Sequence, residues 1–265
     1  MAGIRAVLLD LDETLIHDRA ATEAALLAAA ADVCAQAGLD GAALGRGVRA
    51  AAPPLWAAGP CAAYCDRIGI SATEGLWGTF AVGGDADTAR LREFAPRYRR
   101  AVWGRALETV GQAVDRDLCA ELAERFVCER GRRHVPFAET LPALAALRAA
   151  GVALCLVTNG DRDLQRRKAA GSGLLPLLHH VVISGEEGIG KPEPGIFRHA
   201  LDLCGARPEE AVMVGDSAER DVAGAAAAGM RSVWLDRFGE GGTPDGAWRV
   251  LPDLRGLPGL LFGEV

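Results

Sequence analysis

The sequence predicts an α/β fold: a doubly wound, Rossmann-like parallel sheet core with an inserted all-helical domain. Three observations point there. Five short apolar runs, most of them rich in β-branched residues, fall at 6–9, 152–157, 181–184, 211–214 and 232–235. None alternates strictly, as expected of parallel strands covered on both faces. Helical stripes closed by glycine lie between the later runs, while residues 21–133 carry helical spacing and no strong strand.

Taken in order, the first run, Ala6-Val7-Leu8-Leu9, stops abruptly at Asp10-Leu11-Asp12. The helical insert follows, with Ala24, Leu27, Ala28 and Ala31 on one stripe and its aromatics spread from Trp56 to Trp103. Leu141, Leu144 and Leu147 recur at helical spacing, and Gly151 stands where a helix end needs a left-handed residue. Ile196, Phe197, Ala200, Leu201 and Cys204 form the next stripe, ended by Gly205, and an alanine-rich helix over 218–228 ends at Gly229. The glycine-rich stretch 239–246 reads as a surface loop, and 250–265 as an appended segment that packs or frays. The expected organisation is a discontinuous core of 1–20 and 134–236, a helical domain of 21–133, and a segment of 237–265 packed on the core.

At 265 residues, half of them hydrophobic and 24% charged, the chain has the composition of a globular protein able to bury a full core. Its net charge of −6 argues against a general nucleic-acid binder. The clusters Arg97, Arg99, Arg100 and Arg130, Arg132, Arg133 read as solvated helix faces. The cysteines are scattered and odd in number, with no Cys-x-x-Cys pair, so they are expected to be reduced thiols. With no secretory segment and no apolar stretch near the roughly 20 residues of a membrane span, a cytoplasmic monomer or homodimer without membrane or nucleic-acid partners is expected. Of 29 basic residues only Lys168 and Lys191 are lysine, which singles out those two positions.

Two carboxylates one residue apart at the end of a buried strand repel each other and lose solvation. A cation, a shared proton or a set of donors must compensate. In an open α/β sheet, sites form at the carboxyl ends of strands. The second run is followed by Thr158-Asn159-Gly160, the third by Gly188-Ile189-Gly190-Lys191-Pro192, and the fourth by Gly215-Asp216-Ser217 with Asp221 further on. Each alone has an ordinary reading: a polar turn, a helix cap, a solvated loop lysine, an N-cap. Together, at four successive strand ends, they read as one site.

On those residues the chain resembles the haloacid dehalogenase-like hydrolase superfamily, in its phosphatase branch with a helical first-position cap. Within that branch it looks most like the sialic-acid 9-phosphate and nucleotidase-like phosphatases. The resemblance implies an Mg²⁺-dependent phosphomonoester hydrolase acting on a small phosphorylated metabolite. Asp10 would be the nucleophile and Asp12 the general acid and base. Thr158, Asn159 and Lys191 would bind the phosphoryl group. The metal would be held by Asp10, the backbone carbonyl of Asp12 and Asp216, with Asp221 and Ser217 behind them. The cap would exclude bulk water, with Trp56, Trp77, Arg67 and Arg97 as candidates for its inner face. A phosphomutase of the same superfamily and a catalytically silent binding protein are the competing expectations. Asp12 argues against a carbon–halogen hydrolase, whose chemistry has no leaving alkoxide to protonate.

Overall fold

The computed structural model describes residues 3–83 and 85–263. The outermost two residues of each predicted terminal segment, and residue 84 of the predicted helical insert, lie outside the described residues. The chain divides into two compact units. One comprises the chain up to Asp18, Val135–Asn159 and everything from Gln165 onward; the other comprises Arg19–His134 and Gly160–Leu164. The five residues after Asn159 thus group with the second unit, a short second excursion beyond the long insertion.

The first unit is built on six parallel strands: β1 (Ala6–Leu9), β2 (Ala153–Thr158), β3 (His180–Ile183), β4 (Ala211–Gly215), β5 (Arg231–Leu235) and β6 (Arg249–Leu251). Their order is β3-β2-β1-β4-β5-β6, so β1 lies where the winding reverses, the usual place for a site in such sheets. Leu9 is in register with Leu156 on one side and Val214 on the other. The strand repeat of two sends Val7 and Leu9 to one face, with Leu154, Leu156, Val212, Val214, Leu144 and Leu147. Ala6 and Leu8 point to the other, with Cys155, Val157, Met213, Ile196 and Phe197. Both faces are dry, which explains why none of these strands alternates in sequence.

Two local features depart from expectation. The C-terminal segment supplies the edge strand β6, and behind it Leu254 and Leu257 are fully buried in the same face as Leu9. The expected alanine-rich helix over 218–228 instead begins as a π-helix, Ala218–Ala223, before an α-turn at Gly224–Ala227. There the amide of Val222 donates to the carbonyl of Ser217, five residues back, at 3.2 Å.

The second unit contains six α-helices and no strand among its described residues: Asp18–Ala37 (its first residue lying in the other unit), Gly41–Ala57, Ala62–Ile68, Ala72–Gly75, Ala86–Thr109 and Arg116–Arg130. Asp40, Ser71, Asp85 and Asp115 each cap a helix by accepting a backbone N–H. Gly47 lets two of these helices touch, since a Cβ there would meet the Ala106 backbone at 3.1 Å. Trp56 and Trp77 are core residues, packed with Phe80, Tyr98, Trp103 and Phe126. Arg67 and Arg97 are exposed, and Arg67 lies over the Tyr64 ring.

The reading of both arginine clusters as solvated faces fails at two positions. Arg99 is buried and donates to the carbonyls of Gly75 and Gly78. Arg130 is fully buried, 4.6 Å from the Trp77 ring, and donates to Thr22 and to the carbonyl of Arg133. Helix-end carbonyls and an aromatic face replace water around these guanidinium groups. Among the described residues no helix is long and apolar enough to cross a membrane.

Candidate active site

The loop after β1 doubles back on itself. Thr14, Leu15 and Ile16 all donate backbone N–H groups to the carbonyl of Leu11. Glu13 adopts a left-handed backbone at φ 58° while buried, an arrangement that persists only where the surroundings enforce it. Here Thr140 donates to the carbonyl of Leu15 at 2.9 Å, and Arg237 donates to that of Thr14. Arg237 also pairs with Glu139 at 2.7 Å and lies 3.6 Å from the centre of the Phe137 ring. These staples fix the loop that carries Asp10 and Asp12.

Asp10 sits at the end of β1, its N–H donating to Val214 at 3.0 Å. The Lys191 ammonium reaches it across the strand ends, bonding Asp10 Oδ1 at 2.6 Å and Asp221 Oδ1 at 2.7 Å. Burial works against this ammonium, but the two carboxylates overcome it and push Lys191 up to about 12. The π-turn brings Asp221 inward, where its other oxygen accepts from the Ser217 N–H at 3.0 Å. Ser217 is itself the N-cap, accepting from Arg220 at 3.1 Å. Gly215 leaves the necessary room, because a Cβ there would stand 2.2 Å from Asp221 Oδ2. Asp216 follows directly, its carbonyl held by the Trp234 indole at 2.7 Å.

At the end of β2, Thr158 is buried and Asn159 partly so. The Asn159 amide faces the Lys191 backbone, donating to its carbonyl and accepting from its N–H, both at 2.8 Å. Its side chain therefore holds the Lys191 backbone in place. Asp12 points a different way from Asp10. Its carboxylate takes two contacts from Lys168 Nζ, at 2.8 and 3.0 Å, and one from Gln165 at 3.2 Å. Lys168 and Gln165, from the helix Arg162–Gly171, and Trp234, Arg237 and Glu139 are site residues the sequence motifs did not name. Only the scarcity of lysine marked Lys168.

Asp10, Asp216 and Asp221 each place a carboxylate oxygen within 4.8 Å of the others. One lysine does not neutralise three carboxylates. Burial, then the Asp10 and Asp221 charges, push Asp216 up to about 7, and burial raises Asp221 as well. A compact set of hard oxygen donors with surplus negative charge fits a divalent cation such as Mg²⁺. The cluster contains the expected Asp10 and Asp216 and also Asp221, which was expected behind them, while the Asp12 carboxylate, of which only the backbone carbonyl was expected at the metal, turns to Lys168.

Comparison with known proteins adds four findings. A phosphoserine phosphatase of Thermus thermophilus is 42% identical over 95% of both chains. An N-acylneuraminate-9-phosphatase of Mus musculus is 37% identical over 53% of this chain and 57% of its own length. Among solved structures, the HAD-hydrolase YfnB of Bacillus subtilis, with magnesium bound, superposes at a TM-score of 0.65 and 21% identity, covering 98% of this chain and 99% of that one. The model of the haloacid dehalogenase-like hydrolases matches residues 4–229, and the chain belongs to that family.

Proposed function

We propose that this protein is an Mg²⁺-dependent phosphomonoester hydrolase acting on a small phosphorylated metabolite. The observation that carries the reading is Asp10, held by Lys191 at 2.6 Å beside Asp216 and Asp221 while Asp12 stands apart on its own lysine. That separation suits two different tasks for two neighbouring aspartates.

In this reading Asp10 attacks phosphorus, and the bond from phosphorus to the ester oxygen breaks. Asp12 gives its proton to the leaving alkoxide, which departs as an alcohol. Asp12, now a carboxylate, takes a proton from water as that water attacks the aspartyl-phosphate. Inorganic phosphate leaves and Asp10 is restored. Lys191 and Thr158 hold the phosphoryl oxygens, Lys191 as a compact charge set in place by Asn159 and Asp221. Asp10, Asp216 and Asp221, with the Asp12 carbonyl, would hold the Mg²⁺, which when bound supplies positive charge against the phosphoryl group. The α/β unit carries this chemistry.

The full-length relative acts on phosphoserine, which makes a phosphorylated amino acid the first substrate to assay. N-acylneuraminate 9-phosphate and glyceraldehyde 3-phosphate, named by other phosphatase relatives, come next. Phosphate release is measured over this panel with Mg²⁺, and Asp10→Asn should abolish it. Interconversion of sugar phosphates without net phosphate release would move the assignment to a mutase. Silence across the panel and a generic aryl phosphate would sink the enzymatic reading.

A further inference from the structure

The chain spends its only two lysines on the two aspartates of the β1 loop. Lys191 takes Asp10, and Lys168 takes Asp12. Lys168 is buried to 1% exposure on the helix Arg162–Gly171, and bridges Asp12 to a second carboxylate, Asp18, at 3.0 Å. Gln165, one turn earlier, reaches Asp12 Oδ2 at 3.2 Å and also donates to the carbonyl of Asn159. The Asp12 carboxylate is thus held at both oxygens, yet 30% of its side-chain surface stays exposed. A carboxylate held firmly by fixed donors and still partly exposed suits a group that must present an oxygen to a reacting proton in a fixed direction.

We infer that Lys168 is a positioning residue for the acid–base step: with Gln165 and Asp18 it aims the Asp12 carboxylate. The inference rests on the acid–base reading of Asp12. The chemistry of the bracket favours lysine over the arginine used nearly everywhere else. An ammonium presents three tetrahedral donors from one point and bridges two carboxylates in a small buried space. A planar guanidinium spreads its donors over a wider fork. Lys168 also lies within ten residues of Thr158 along the chain, so one strand–helix step supplies both the phosphoryl contact and the bracket.

The role makes a selective demand on the leaving group. An alkyl phosphate needs a proton delivered to a poor leaving group, whereas an activated aryl phosphate does not. The test compares wild type, Asp12→Asn and Lys168→Met on phosphoserine and on 4-nitrophenyl phosphate, reading kcat and KM separately and the first-turnover burst of nitrophenol by stopped flow. For Lys168→Met, kcat on the alkyl ester should fall on the order of 10²-fold, the lower end of what acid–base catalysis contributes, with KM little changed and the nitrophenol burst retained. Asp12→Asn should show the same selectivity more strongly.

If Lys168→Met slows the first-turnover release of the leaving group equally from both substrates, or from neither, while Asp12→Asn remains selective in that step, the Lys168 inference is wrong and the acid–base reading stands. If Asp12→Asn is itself unselective in that first turnover, the acid–base reading fails. Should Lys168→Met not fold, Lys168→Gln, which keeps an N–H donor toward Asp12, carries the same comparison. A selective loss in that variant supports the inference, and an unselective loss or wild-type behaviour overturns it.

Discussion

Gly215→Ala adds a single methyl group, yet it should be among the most damaging changes in the sheet. The new Cβ would stand 2.2 Å from Asp221 Oδ2 and 2.3 Å from its Cγ, distances no side chain tolerates. Asp221 cannot retreat cheaply: it is 1% exposed, bonded to Lys191 at 2.7 Å and to the Ser217 N–H at 3.0 Å. Overpacking of this kind costs about 1–3 kcal/mol. A displaced charge-assisted hydrogen bond adds about 1.5–3 kcal/mol, so about 2.5–6 kcal/mol of stability should be lost. Lys191 would then be fixed from Asp10 alone. Loss of an orienting partner of this kind lowers activity by about 10–100-fold. Chemical denaturation at fixed pH and steady-state phosphate release in saturating Mg²⁺ measure the two effects. Gly195→Ala is the control, since its Cβ meets only the mobile tip of Ile189. Near-wild-type stability and turnover in Gly215→Ala would refute the placement of Asp221.

Two further outcomes follow from the same geometry. Asp216, pushed up to about 7, holds its proton more tightly folded than unfolded, so metal-free protein should lose stability as pH rises from about 4 through 7. Asp216→Asn should remove that loss, stabilising the metal-free protein at pH 8 by up to ~4 kcal/mol and hardly at pH 4. Equal effects at both pH values in thermal melts would contradict the electrostatic account. Arg237→Met should cost about 3–5 kcal/mol by stranding Glu139 in a buried pair; adding Glu139→Leu should recover part of it, and strict additivity in denaturant melts would show that the pair is not coupled.

The sheet was legible because its strands are apolar runs broken by chemistry. Asp10, Thr158 and Asp216 announce themselves by standing where a buried strand should end in turn residues, and Lys191 by being one of two lysines, in the loop that follows β3 and its helical turn. β6 was not legible: three residues, one of them arginine, pairing on one side only, carry no periodic signal. The π-turn was hidden for a different reason. An alanine-rich stretch fits an α-helix by propensity, and the wider turn at Ala218–Ala223 is accompanied by the Ser217 and Lys191 contacts to Asp221. Arg99 and Arg130 were misread because charge suggests solvent, whereas carbonyls and an indole face surround them. Lys168 lies 156 residues from Asp12 in sequence, and no local pattern links the two.

Acid-quenched turnover followed by peptide mass spectrometry addresses the division of labour between the two aspartates most directly. With 4-nitrophenyl phosphate and Mg²⁺ present, a phosphoryl group should be found on Asp10, and it should accumulate in Asp12→Asn, where the base for its hydrolysis is gone. Sustained phosphate release with no adduct on Asp10, or with the adduct on another residue, would contradict the account.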